Sequence, residues 1–200
     1  MQFSLLVLFS LLYTFVHSQP VVTGDTKYFD IKLAGLKIGE LKATRTINDT
    51  ITVYTLESDV SFWLFVSVQV HHCSETVYYG EKLFSSISTS KTTKGNFTST
   101  IVWKGGHYQV NVDSYKFQNS DPIHEAVDCS IARFYFDEPI NTRKTLADGY
   151  GILASVKQVK PGTYEVDGLG NKNKYFYEQG VFKSASMHSK VKNYEVVLQK

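Results

Sequence analysis

Cysteine and proline are scarce in this 200-residue chain. Two cysteines (Cys73 and Cys129) and four prolines are too few for a disulfide-stapled miniprotein or a proline-rich linker. No Cys-x-x-Cys pair offers thiol–disulfide exchange. Charge of one sign is also lacking: 21 basic and 19 acidic residues leave +2, and the lysines of Lys91/Lys94 and Lys172/Lys174 are scattered, so no nucleic-acid footprint is present. After residue 18 no apolar run approaches the ~20 residues of a membrane-spanning helix. The serines never occur as Gly-x-Ser-x-Gly, and Gly168-Leu169-Gly170 lacks the glycine and helix that complete a dinucleotide-binding turn. No cofactor is therefore called for.

The longest uncharged, largely apolar run stands at the start, from Phe3 to Val16, before Gln19-Pro20. It is too short to span a bilayer, and Val16 and Ser18 suit the −3 and −1 positions of signal-peptidase cleavage. Residues 1–18 thus read as a signal peptide and 19–200 as one exported domain, periplasmic or extracellular, large enough to bury a substantial core. In an oxidising compartment Cys73 and Cys129 allow one disulfide; two separate buried thiols are the alternative.

Period-two alternation dominates the rest and predicts antiparallel strands with one buried face. Phe29, Ile31 and Leu33 alternate with Tyr28, Asp30 and Lys32, and Tyr108, Val110 and Val112 with His107, Gln109 and Asn111. Short turn signals separate the runs, at Ala34-Gly35, Asn48-Asp49, Gly80-Glu81, Lys94-Gly95-Asn96, Gly105-Gly106, Pro161-Gly162 and Gln179-Gly180. Gly39 marks a change of apolar phase, as a β-bulge does. Phe62–Val70, apolar on both faces at its start, reads as a central strand or a core-filling corner. Asp121-Pro122 offers an N-cap and a first-turn proline, so one short helix is expected over about Ile123–Ala132. The predicted fold is mainly β: a curved antiparallel meander forming an incomplete or closed barrel, with one short central helix packed on or capping the sheet.

Three segments carry a resemblance. They are Tyr28-Phe29-Asp30-Ile31 with Lys37-Ile38-Gly39, the centre Arg133-Phe134-Tyr135-Phe136-Asp137-Glu138-Pro139, and Gly162–Val166 with Gly170–Gly180. Together they resemble a family of uncharacterised exported bacterial β-rich proteins with an aromatic-Phe-x-Glu-Pro centre and a Gly-Asn-x-Asn-x-Tyr-x-Tyr-x-x-Gly hairpin. The resemblance spans nearly all of Tyr28–Lys200, implies bacterial export, and supplies neither an activity nor catalytic residues. On architecture alone, the curved sheet also resembles periplasmic lipoprotein carriers.

Four groups of residues carry potential chemistry. His71, Cys73 and Glu75 project from one face of a strand with side chains that suit Zn²⁺, yet no remote partner is evident and a polar outer face explains them equally. His124, Glu125, Asp128, Asp137 and Glu138 offer acid/base groups for a hydrolase, whereas Glu138 before Pro139 reads as a turn residue that accepts a hydrogen bond or pairs with Arg133 or Arg143. Tyr175, Tyr177 and Phe182 can grip a ligand or fill the core. Tyr194–Leu198 is a candidate edge strand for a protein partner. The leading expectation is a non-enzymatic module for an apolar small molecule or cell-envelope component; a carboxylate-dependent hydrolase and a structural or protein-interaction domain are the alternatives. Oligomeric state is left open.

Overall fold

Sustained alternation over the first half of the chain yields long strands: β1 (Val22–Leu33), β2 (Leu36–Asn48), β3 (Ile51–Leu64), β4 (Val66–Tyr79), β5 (Lys82–Thr92) and β6 (Gly95–Trp103). Shorter strands follow, β7 (Tyr108–Ser114) and β8 (Phe117–Asn119), then a connector holding the helix α1 (Ile131–Phe134). The second half contains β9 (Lys144–Ala147), β10 (Ile152–Lys160), β11 (Thr163–Gly168), β12 (Asn171–Glu178), β13 (Val181–Met187) and β14 (Tyr194–Leu198). This computed structural model describes residues 22–64, 66–188 and 193–200; segment 1–18, expected to be a signal peptide, lies outside them.

All fourteen strands belong to one antiparallel sheet, ordered β8-β7-β6-β5-β4-β3-β2-β1-β14-β13-β12-β11-β10-β9. Two meanders meet at its centre, where β1 pairs with β14 and Phe29 lies opposite Leu198. Tyr194–Leu198 is therefore a central strand and not the exposed edge expected from its place near the C-terminus. The true edges, β8 and β9, are three and four residues long, and short edges resist pairing with other chains.

No ladder joins β8 to β9, so the backbone leaves the barrel open. Side chains bridge the seam. Asn119 Nδ2 donates to Tyr150 O and Gly151 O at 3.0 and 3.1 Å, Ser99 Oγ donates to Asp148 O, and Phe117 meets Tyr150 edge-on at 5.4 Å. Gly151 makes this approach possible: a Cβ there would lie 2.5 Å from Val110 Cγ1. The bulge expected at Gly39 is present, because pairing shifts from Ile31↔Gly39 to Lys32↔Lys37. A Cβ on Gly39 would lie 2.2 Å from Asp59 O, so the bulge depends on glycine.

Antiparallel order sends alternate turns to opposite ends. One end carries the turns at Asp49-Thr50, Gly80-Glu81, Pro161-Gly162 and Gln179-Gly180, together with the connector. The other carries Ala34-Gly35, the β3–β4 tip, Lys94, Tyr115-Lys116, Asp148–Gly151 and Leu169-Gly170.

The connector plugs the first end. The helix expected over about Ile123–Ala132 is displaced: the chain is non-helical through Ser130, and the helix begins only at Ile131. The physical reason is that its backbone groups are taken by strands: Ile123 exchanges both hydrogen bonds with Tyr108, Val127 O accepts from Leu83 N–H, and Cys129 O accepts from Leu146 N–H. Local capping signals lose to these tertiary bonds. Phe134, Tyr135 and Phe136 are then buried inside, with Phe134 edge-on to Tyr175 at 5.0 Å and Tyr135 against Phe29 at 5.2 Å. A charge-free anchor holds the plug down, Tyr177 OH donating to Phe134 O at 2.6 Å, and beside it Tyr108 OH donates to Leu83 O at 2.9 Å and ties β7 to β5.

Candidate functional site

The Phe62–Val70 run is neither a central strand nor a core corner. It is the end of the β3–β4 hairpin, with Phe62 opposite Val68 and Leu64 opposite Val66. Tyr175, Tyr177 and Phe182 are buried among one another and the plug, with Tyr177 and Phe182 edge-on at 5.7 Å; they fill the core and present no aromatic face to a ligand.

The acid/base candidates are dispersed. Asp137 accepts from Arg45 Nη1 at 2.8 Å, Glu138 accepts from Tyr164 OH at 2.8 Å, and Glu125 pairs with Lys144. Glu138 thus receives the hydrogen bond a turn residue needs, but from a tyrosine. Arg133 instead reaches Glu81 and Asp128 O. Desolvation, with the Glu138 carboxylate beside it, pushes the Tyr164 phenol up to about 12, so it donates throughout the physiological range. His124 stacks with His107 at 5.8 Å. None of these residues lines either of the two concavities described below.

The outer-face trio is also separated by its neighbours. His71 Nδ1 meets Asp59 Oδ1 at 2.6 Å, while Cys73 faces Glu57 across the strand. Partial burial, reinforced by Glu57 and Glu75, pushes the Cys73 thiol up and away from the reactive thiolate. Among the described residues no group of three His, Cys, Asp or Glu side chains is placed to hold a metal ion. Both cysteines are free thiols. Cys73 belongs to the outward series of β4, and Cys129 is buried in the connector on the opposite side of the sheet.

Two features of the interior escaped the sequence reading. The first is a hydroxyl-lined wall. Cross-strand partners place Ser74, Ser88 and Ser99 in one row and Thr76 with Ser86 in the next, all buried. One row nearer the open end, His72 Nδ1 meets Ser90 Oγ at 2.8 Å. Desolvation pushes the His72 imidazole down and the Asp148 carboxyl up, and the charge of each partly restrains the other. A serine, a histidine and an aspartate have converged, yet none of the three lines either concavity.

The second is a pocket of about 450 Å³ at the open end. Ile131 of α1, Ala154, Val166, Met187 and Tyr194 give it an apolar lining, and Ser114, Asn171, Asn173 and His188 add polar groups. This volume lies in the range of sites that hold small molecules. Its lining comes from α1 and seven strands with their turns, which explains why no local motif announced it. A groove of about 630 Å³ lies at the root of the β3–β4 hairpin, between Gly39, Val60, Val70 and Thr92.

The family model described as Domain of unknown function (DUF6134) matches residues 29–199. No curated protein matches the chain significantly. Among solved structures, a beta-barrel-like protein of domain of unknown function DUF1849 from Brucella abortus is similar, with a TM-score of 0.49 and 9% identity over 92% of this chain and 98% of that one.

Proposed function

We propose, for a chain that belongs to the DUF6134 family of domains of unknown function, a non-enzymatic binding role: the open end of the barrel holds an apolar molecule, or the apolar part of a cell-envelope component. The pocket carries this reading. An apolar lining such as Ala154, Val166 and Met187 favours a hydrocarbon by removing its surface from water, and Asn171, Asn173 and His188 can orient a polar end. The plug supports it too, since a sealed far end makes the interior a cup and not a channel. The apolar start of the chain supports export, with cleavage before Gln19.

Palmitate is a suitable first probe, titrated calorimetrically into the purified mature protein. Saturable binding is expected, weakened by Ser114→Trp and by Asn173→Trp, which obstruct the pocket from two different strands. Failure to bind, or binding indifferent to both substitutions, overturns the proposal. The intact mass of the exported protein tests the leader: a chain starting at Gln19 supports cleavage, and a retained Met1 contradicts it.

A further inference from the structure

Pairing of β2 with β3 ends at Gly39↔Val60, and pairing of β4 with β5 begins at Val70↔Thr92. Beyond those points Ser61–Leu64 and Val66–Gln69 pair with each other, flanked by a bond from Thr93 N–H to Gln69 O at 3.3 Å. The result is a two-stranded arm that leaves the sheet at the open end. A lone two-stranded ribbon is marginal in water. This one is also poorly suited to water by composition: no residue from Val60 to Val70 is charged, and Trp63 is 75% exposed. Exposed apolar protrusions of this kind mark a surface whose working environment is something other than water.

Charge beside the arm indicates which environment. Of the nearby acids, Asp30 and Glu40 both meet Lys37, and Asp59 meets His71. Lys91, Lys94 and Lys116, exposed at or near the same end, form no ion pair among the described residues. Lysine side chains thus flank the apolar tip, and they complement an anionic headgroup layer. Tryptophan suits the boundary between headgroups and acyl chains. Leu36, 74% exposed on the neighbouring β1–β2 turn, adds a second apolar contact on that end. A second copy of the chain is a poorer occupant, because a ribbon of four residues per strand is far smaller than the roughly 800 Å² per partner of a stable interface.

We infer that the β3–β4 arm inserts Trp63 into the interface of an anionic phospholipid bilayer and docks the open end of the barrel on it. An apolar tip and a basic surround are the two signals that make such docking reversible. The inference stands apart from whatever the pocket holds.

The test uses the mature protein with vesicles of phosphatidylcholine mixed with phosphatidylglycerol, and with phosphatidylcholine alone. Co-sedimentation is expected with the mixed vesicles and weaker with the neutral ones. In a Trp103→Phe background the emission of Trp63 should shift to the blue on binding. Trp63→Ser, at a site too exposed to disturb folding, should weaken partitioning about tenfold, while Lys94→Glu combined with Lys116→Glu should remove the preference for anionic lipid. Protein that stays in the supernatant with mixed vesicles overturns the inference, as does equal sedimentation of Trp63→Ser. A lipid-free dimer that depends on Trp63 would assign the arm to a second copy and overturn it equally. Palmitate titration of Trp63→Ser reads the pocket separately.

Discussion

At the plugged end, Phe134, Tyr135 and Phe136 are driven into a ring of Phe29, Tyr175, Tyr177 and Phe182, and the buried backbone oxygen of Phe134 is met by a tyrosine hydroxyl. At the open end the same sheet carries small and polar groups, with Ser114, Asn171 and Asn173 where large apolar side chains would close the space. Edge-on aromatic packing removes much apolar area per residue and so holds the barrel together from one end. Stability concentrated there frees the other end to keep a pocket, a seam joined by side chains and an arm that leaves the sheet. The same pattern separates the connector from the β9–β10 turn: the first is fixed by backbone bonds to three strands, the second by a few side-chain bonds to Asn119 and Ser99.

Phe134→Ala puts the largest strain on this contrast. Phe134 is fully buried, so its truncation should cost about 3–5 kcal/mol in chemical denaturation; a cost near zero would show that the plug does not hold the barrel. Gly151→Ala tests the seam. Its φ of +61° and the clash with Val110 and Val112 should cost about 1–3 kcal/mol without unfolding the plugged end, which amide exchange can resolve.

His72→Gln sharpens the comparison through pH. Folding lowers the imidazole pKa, so the unfolded chain binds more protons, and stability falls as pH drops below the unfolded value of about 6.5. Asp148 acts oppositely, since its raised pKa favours the folded state at low pH and loses that contribution as pH rises through the folded value. The variant should flatten the part of the acid-limb slope due to His72; an unchanged slope would place that slope elsewhere. Leu36→Ser should have the smallest effect, within about 0.5 kcal/mol, because an exposed side chain at the open end contributes little to folding.

Much of the frame was legible in the sequence. Each expected turn from Ala34-Gly35 to Gln179-Gly180 reverses the chain, and Gly39 announced its bulge by breaking the apolar phase. The helix was misplaced because Asp121-Pro122 satisfies local capping rules while Tyr108, Leu83 and Leu146 claim the following backbone from far along the chain. Tyr194–Leu198 looked like an edge because sequence order alone does not reveal that the first and last strands meet. The candidate site was least legible for a related reason. Inward-facing Ser74, Thr76, Ser86 and Ser88 occupy positions where a buried face should be apolar, and Asp148-Gly149 reads only as a turn. The pocket gathers residues from both meanders, and no short window contains it.

Amide chemical-shift mapping of the mature protein during palmitate titration tests the division between ends most directly. The account predicts perturbations at Ser114, Ala154, Val166 and Asn173 around the pocket, with Ile123 and Val127 of the plug unmoved. Shifts centred on the plug, or none at all, would contradict it.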